Sequence, residues 1–232
     1  MTAAPDFWGR FCEANRFLLT AIPLIVTPTA LEFRAVRKAL SPLVEKGVLR
    51  VARCGAGPIR AGSFCRDLDP AQISSLCLVG WAGGLQARAE AGAVVCAEAA
   101  LMAGRPAIPC EAAAGVGWLA GPILTVSKAL LAPEEKTAAA SSGALAVEME
   151  AYPLAEWALD HRKPFYHSRV VLDSRDESLP GLVRDPARGF AIRLAQNLAG
   201  LPRLVRRIRE VNARMGVLAA GLARQVCSPP GS

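Results

Sequence analysis

Ala146-Val147-Glu148-Met149-Glu150-Ala151, followed by Tyr152-Pro153-Leu154-Ala155, is the stretch on which the reading turns. An apolar, strand-like run passes into a helical one, and two carboxylates sit one residue apart at the junction. With residues 144–150 extended, side chains at i and i+2 share a face, so Glu148 and Glu150 point the same way. Pro153 suits the first turn of the helix that follows, where its missing N–H costs nothing. A pair of acids at the carboxyl end of a strand makes a hydroxyl-binding device. A solvated strand end is the other reading of the same residues.

The flanking sequence repeats the strand-then-helix theme. Ile22-Pro23-Leu24-Ile25-Val26 fits a buried strand with its proline at the start. After the turn Thr27-Pro28-Thr29, Phe33, Val36 and Leu40 fall at i, i+3 and i+7. This predicts an amphipathic helix over 31–40 that Ser41-Pro42 stops. Glu32 lies in its first turn, where an acid favours the helix dipole. Val48 to Cys54 reads as a strand leading into Gly55-Ala56-Gly57-Pro58-Ile59-Arg60. Such a G-x-G turn offers N–H groups to an anion. Arg60, however, stands where a dinucleotide fingerprint has its third glycine, and no suitable acid follows about twenty residues on. Leu76 to Gly80 is a strand opening onto Trp81-Ala82-Gly83-Gly84-Leu85, where glycines allow a ligand or backbone close approach. Residues 93–96 and 122–126 are further strands, 99–121 carry no assignment, and 133–143 read as a polar bridge. A helix over 154–159 precedes Phe165 to Leu172, a strand ending in Asp173-Ser174-Arg175-Asp176. Apolar strands separated by helices indicate a mostly parallel sheet covered on both faces. Ligands of such folds bind beyond the carboxyl ends of the strands, where Gly55, Gly83, Glu150 and Asp173 stand.

Composition narrows the class. The 232 residues are 52% hydrophobic with a mean hydropathy of +0.28, enough for one large α/β core and too apolar for disorder. No apolar run reaches the roughly 18–20 residues that span a bilayer, and Met1 to Arg10 lacks a signal-peptide pattern, so a cytoplasmic protein is expected. The seven cysteines never form C-x-x-C and read as small buried residues, not zinc ligands or disulfides. The net charge of +7 is partly local, with six arginines and one acid between Leu201 and Gln225. Aromatics are only 6% and are not interleaved with basic residues, which speaks against nucleic acid as a partner. In the same segment Leu204, Ile208, Val211, Met215 and Leu218 form a helical stripe, with Arg203, Arg206, Arg207 and Arg214 off it. A terminal helix packed on the domain is one reading; a basic amphipathic helix touching a membrane surface is the other. The expected organisation is a catalytic domain over 1–200, this helix over 201–226 packed on it, and a flexible tail over 227–232.

Four pieces in this order resemble the purine nucleoside phosphorylase and methylthioadenosine/adenosylhomocysteine nucleosidase superfamily. They are the Thr27–Arg34 turn with Glu32, Val79-Gly80-Trp81-Ala82-Gly83-Gly84-Leu85, Val147-Glu148-Met149-Glu150-Ala151, and Arg169-Val170-Val171-Leu172-Asp173. The resemblance implies a three-layer α/β/α sandwich with a mixed, partly barrel-like central sheet, commonly in a homodimer. It implies that Glu150 holds the ribose hydroxyls and Met149 packs under the sugar. Asp173 would protonate the base at N7, Glu32 would direct the attacking water, and Ala82 and Gly83 would border base and ribose through their backbone. Glu148 would support or be solvated, and Leu130 would cover the base. No cofactor or metal is implied. The chemistry is coherent independently of the family: breaking an N-glycosidic bond needs a protonated leaving base, a stabilised cationic sugar and a positioned nucleophile. Two acids in different environments can divide the first and last tasks. His167, within an apolar strand, reads as structural.

Departures shape the expected reaction. The phosphorylases of this superfamily bind phosphate with an arginine just before the glycine loop; Leu78 occupies that place, with Arg60 the only nearby substitute. Thr125-Val126-Ser127-Lys128-Ala129-Leu130 occupies the place where adenine nucleosidases carry a stacking Phe, and Ala129 cannot stack; Leu172 replaces the usual Ser. The chain is also similar to hopanoid-associated nucleoside phosphorylase-like proteins, in its short 128–143 bridge, in Ser178-Leu179-Pro180 and in its basic, apolar C-terminal helix. That resemblance implies release of adenine from adenosylhopane, a lipid-linked nucleoside, by a protein resting on the inner face of the membrane. The alternatives are a phosphate-dependent nucleoside phosphorylase and a non-catalytic nucleoside- or lipid-binding descendant.

Overall fold

The computed structural model describes residues 21–113, 115–178 and 201–227. The mixed N-terminal twenty residues, Leu179-Pro180 and all of the expected 227–232 tail except Cys227, which ends the last helix, lie outside the described residues. Among the described residues eight strands form one sheet: β1 (Ile22–Thr27), β2 (Arg50–Arg53), β3 (Ile73–Gly84), β4 (Val94–Met102), β5 (Ile108–Pro109), β6 (Leu119–Thr125), β7 (Ala146–Glu148) and β8 (Phe165–Asp173). The helices are α1 (Ala30–Ala39), α2 (Ser41–Glu45), α3 (Pro58–Arg66), α4 (Pro133–Ala140), α5 (Ala151–Asp160) and α6 (Leu201–Cys227).

The strand order is β2-β1-β3-β7-β6-β4-β5, and β8 bridges β3 and β4. Strands β3, β7, β6, β4 and β8 therefore close into a five-stranded, barrel-like ring, and β1 and β2 extend from β3 as a parallel wing. A narrow ring has room only for compact side chains. Ala82, Val95, Ala97, Ile123, Ala146 and Val171, drawn from all five ring strands, pack together. Parallel pairing joins β1–β2, β1–β3, β3–β8, β4–β6 and β6–β7, while β3–β7, β4–β8 and β4–β5 are antiparallel.

Period-two alternation assigns the two helical layers. Leu24, Val26, Leu76 and Leu78 face α3 and α5, whereas Ile25, Cys77 and Val79 between them face α1 and α6. Strands buried on both faces read as continuous apolar runs, which is how β1 and β3 appear in the sequence. On α6, Val211, Met215, Leu218, Ala219, Leu222 and Ala223 are buried against this second face. Burial of each large apolar side chain contributes about 1.5–3 kcal/mol, and from Val211 onward the stripe that would enter a lipid interface is taken up inside the protein, with Leu204 and Ile208 half-buried. Among the described residues no helix is long and apolar enough to cross a membrane.

Several local expectations change. Trp81-Ala82-Gly83-Gly84 is not a loop but the end of a twelve-residue strand, paired with β7 and β8. Any side chain on Gly84 would place its Cβ 2.1 Å from the Ala89 carbonyl oxygen, so the glycine permits a close backbone crossing. Ser41-Pro42 ends α1 but opens α2, with the proline in its first turn. The polar bridge over 133–143 contains α4, and the unassigned 99–121 contains the end of β4, β5 and the start of β6. The strand over 144–150 shrinks to Ala146–Glu148, and Glu150 is the N-cap of α5 with φ −127° and ψ −22°. Strand alternation is therefore not what brings Glu148 and Glu150 together.

Candidate active site

A cavity of about 840 Å³ opens at the carboxyl ends of β1, β3, β6, β7 and β8, the place where α/β sheets bind ligands. The structure brings every candidate residue to it: Glu32, Ala82, Gly83, Leu130, Glu148, Met149, Glu150 and Asp173 all line its wall.

Glu32 is fixed by the start of α1. Thr29 caps the helix, its Oγ1 accepting from Glu32 N at 3.4 Å, while Thr29 N donates back to Glu32 Oε2 at 2.7 Å. This reciprocal capping box leaves Glu32 Oε1 to accept from Trp81 N at 2.7 Å. The residue is 2% exposed, and burial holds its carboxyl above the usual range against the pull of these N–H groups and Arg169. It is thus part of the cavity wall as well as a favourable first-turn acid.

Glu148 and Glu150 meet over Arg169. The guanidinium, fully buried on β8, pairs through Nη2 with Glu148 Oε2 and with Glu150 Oε2 at 3.2 Å. Its Nε donates to His167 Nε2 at 3.0 Å and its Nη1 to the Trp81 carbonyl at 3.3 Å. Burial alone would lower the pKa of Arg169, but Glu148, Glu150 and Glu32 raise it. Glu148 also accepts from Thr125 Oγ1, from Glu150 N at 2.8 Å and from Ala151 N at 2.9 Å. It caps α5 and orients both Arg169 and Glu150. Glu150 Oε1 accepts from Gly57 N at 2.8 Å. Gly57 has φ +95°, open essentially to glycine alone, so the G-x-G turn presents its N–H to a carboxylate of the protein. Burial, with the neighbouring glutamates, pushes the Glu150 carboxyl up to about 7 despite Arg169. Met149, half-buried, lies against the same turn.

Asp173 is set apart from this cluster. A bulge in β8 inserts Leu172 between the residues facing Ala82 and Gly83, which places Asp173 beside Gly83. Such bulges re-aim side chains. Asp173 is 2% exposed and pairs with the fully buried Lys136 of α4. Burial pushes its carboxyl above the ordinary value of 3.8, and Lys136 pulls it back.

The sequence reading assigned no role to Arg169, Lys136 or Thr125. An arginine in a run of β-branched residues is a signal, because a buried charge demands partners; Lys136, in a polar segment, gives none. His167 is buried and accepts from Arg169, while its Nδ1 has no partner among the described residues. Leu78 lies in the core facing α3 and α5. Arg60 and Lys128 are exposed at the cavity rim. The thiols of Cys54, Cys65, Cys77 and Cys110 are pushed up to about 12, chiefly by burial, and are poor nucleophiles.

No protein-family model matches the sequence, and no curated protein matches it significantly. Solved structures do share its fold. The Helicobacter pylori 5′-methylthioadenosine/S-adenosylhomocysteine nucleosidase, complexed with a pyrrolopyrimidine-bearing pyrrolidinol, has a TM-score of 0.67 and 13% identity over 89% of this chain and 99% of its own. A futalosine hydrolase mutant of the same organism gives 0.63 and 12% over 88% and 99%. The Colwellia psychrerythraea 5′-methylthioadenosine/S-adenosylhomocysteine nucleosidase in complex with adenine gives 0.62 and 15% over 88% and 96%. At these identities the likeness is one of fold: a mixed α/β ring flanked by helices.

Proposed function

We propose that this chain hydrolyses the N-glycosidic bond of an adenosine-type nucleoside and releases adenine. The observation that carries the proposal is one cavity with two buried acid sites of different electrostatic setting. Asp173 stands with Lys136, and Glu32 and Glu150 stand around Arg169. Glu150, with one oxygen on Gly57 N and the other on Arg169, keeps lone pairs for ribose hydroxyls. Asp173 donates a proton to N7 as the C1′–N9 electron pair moves into the purine. Glu32 takes the proton of a water attacking C1′, and the clustered carboxylates stabilise positive charge on the sugar. The fold shared with two nucleosidases and a futalosine hydrolase agrees with this chemistry.

Water is favoured over phosphate as the nucleophile. A phosphate would need a free cation beside the sugar, whereas Arg169 is engaged on Nε, Nη1 and Nη2 and is ringed by carboxylates. Incubation with nucleosides, with and without phosphate, tests this by measuring free base and ribose 1-phosphate. Base release that requires phosphate would overturn hydrolysis.

The cavity suits an apolar 5′ substituent, as in adenosylhopane. Val126, Leu130, Leu131, Pro58 and the 84%-exposed Ile59 line it beyond the acids. A series of 5′-alkyl adenosines should show kcat/KM rising with chain length, by about 0.8 kcal/mol per buried CH₂. A flat series removes the lipid-tailed reading. Because the stripe of α6 is buried, contact with a bilayer would rest on exposed Arg203, Arg206 and Arg209 and be electrostatic. Co-sedimentation with anionic vesicles that survives high salt would contradict that.

A further inference from the structure

Lys136 is an unusual residue to find fully buried, since an ammonium removed from water is costly unless paired and hydrogen-bonded. It projects from α4, and its Nζ meets three acceptors: Asp173 Oδ2, the Ser174 carbonyl at 2.8 Å and the Glu177 carbonyl at 2.6 Å. Three acceptors match the three N–H bonds of an ammonium. The carbonyl of Glu177 is itself held in place. Its Oε2 accepts from Ser174 N at 2.9 Å and from Arg207 Nη1 of α6 at 2.7 Å. The segment after β8 is thus tied to α6 and folded around the lysine.

We propose that Lys136 is a positioning residue for Asp173: it holds Oδ2, leaves Oδ1 for the base, and neutralises the charge that appears when Asp173 gives up its proton. The proposal rests on the reading of Asp173 as the proton donor. In that step the Asp173 O–H bond breaks, an N7–H bond forms, and the C1′–N9 pair enters the purine, leaving a carboxylate against the ammonium. The charged groups facing Asp173 are Lys136 from α4, Glu177 from the segment after β8, and Arg207 from α6. Among the described residues only Lys136 pairs with it. The Arg169 cluster engages other carboxylates, so Asp173 has its own counterion.

The test is to titrate the Asp173 carboxyl carbon by ¹³C NMR in the wild type and in Lys136→Met, with Asp173→Asn giving the assignment. An opposite charge at contact lowers a carboxyl pKa by about 1–3 units. The midpoint is therefore expected to be that much higher in Lys136→Met, and Lys136→Arg to return it toward the wild-type value. In parallel, the alkaline limb of the kcat/KM profile should move up by the same amount, with kcat falling on the order of 10²-fold. An unchanged midpoint in a folded Lys136→Met protein overturns the proposal. If that variant does not fold, Lys136→Met/Asp173→Asn, which removes both charges, should fold; its failure would show that Lys136 acts through something other than Asp173. A wild type without nucleosidase activity would sink the functional reading, while the NMR midpoints would still decide whether the lysine governs the acid.

Discussion

Replacing Arg169 with Met removes the one cation shared by Glu32, Glu148 and Glu150 while keeping an unbranched apolar stem in place. The Arg169 side chain is fully buried, and those of Glu148 and Glu150 are 1% and 6% exposed, so little solvent can compensate. Removing one partner of a buried ion pair costs about 3–5 kcal/mol, a large part of a domain's total of about 5–15 kcal/mol. The carboxyl cluster can relieve the loss only by binding protons. Its folded pKa values then lie above the unfolded ones, so between the two the native state holds more protons and stability falls as pH rises. The slope is about 1.4 kcal/mol per pH unit for each extra proton. Glu150, raised to about 7, already gives the wild type a decline of this sign between its ordinary 4.5 and 7. Urea unfolding of both proteins from about pH 5.5 to 8.5 should therefore show a gap of about 3–5 kcal/mol at the alkaline end that narrows on acidification. A gap below about 1 kcal/mol, or one independent of pH, would refute the argument that Arg169 supplies the charge balance of the cluster.

Gly80→Ala should damage the same cluster by sterics, since its Cβ would sit 2.3 Å from Arg169 Nη1 and 2.7 Å from Glu32 Oε1. A loss of about 1–3 kcal/mol, seen as a Tm lower by several degrees, is expected in calorimetry together with a fall in kcat. Asp173→Asn should lower kcat by about 10²–10⁴-fold while equilibrium binding of adenosine, measured by calorimetry, persists. Because the Glu150 carboxyl is raised to about 7, its ionised form gains population as pH rises through that value. KM for a nucleoside should therefore fall across this range, and Glu150→Gln should raise KM and abolish the dependence. A KM profile identical in the two proteins would remove Glu150 from sugar binding.

Much of the fold was legible because its strands announce themselves by type. Leu24-Ile25-Val26 and Leu76-Cys77-Leu78-Val79 are apolar at every position because helices cover both faces, and α1 carries its cap and acid in sequence. What escaped were elements whose stability comes from somewhere other than hydrophobic period. Residues 133–140 have no apolar stripe. Their helix is instead started by Pro133 and by Glu135, whose Oε2 accepts from Leu131 N at 3.1 Å and Ala132 N at 3.4 Å. The Ala-rich 99–121 conceals strand because small residues mark no apolar face, although Ala100 is buried on the side of α3 and α5. Trp81 to Gly84 resembled a loop because glycines usually punctuate, yet here they let β3 run on past Arg169 and Ala89.

The candidate site was legible in its anions and hidden in its cations. Carboxylates at strand ends stand out against apolar neighbours, so Glu32, Glu150 and Asp173 could be singled out from spacing and resemblance. Their division of labour, however, depends on counterions that lie far off in sequence: 21 residues separate Glu148 from Arg169, and 37 separate Lys136 from Asp173. Arg169 is shared among three acids, and burial, with the neighbouring glutamates, still keeps Glu150 near the point of protonation. Lys136 serves one acid with a complete set of acceptors, and in the proposed reaction it would meet the charge left on Asp173. In the proposed reaction both buried cations are already engaged by acceptors of the protein, and this is what favours water over phosphate as the nucleophile.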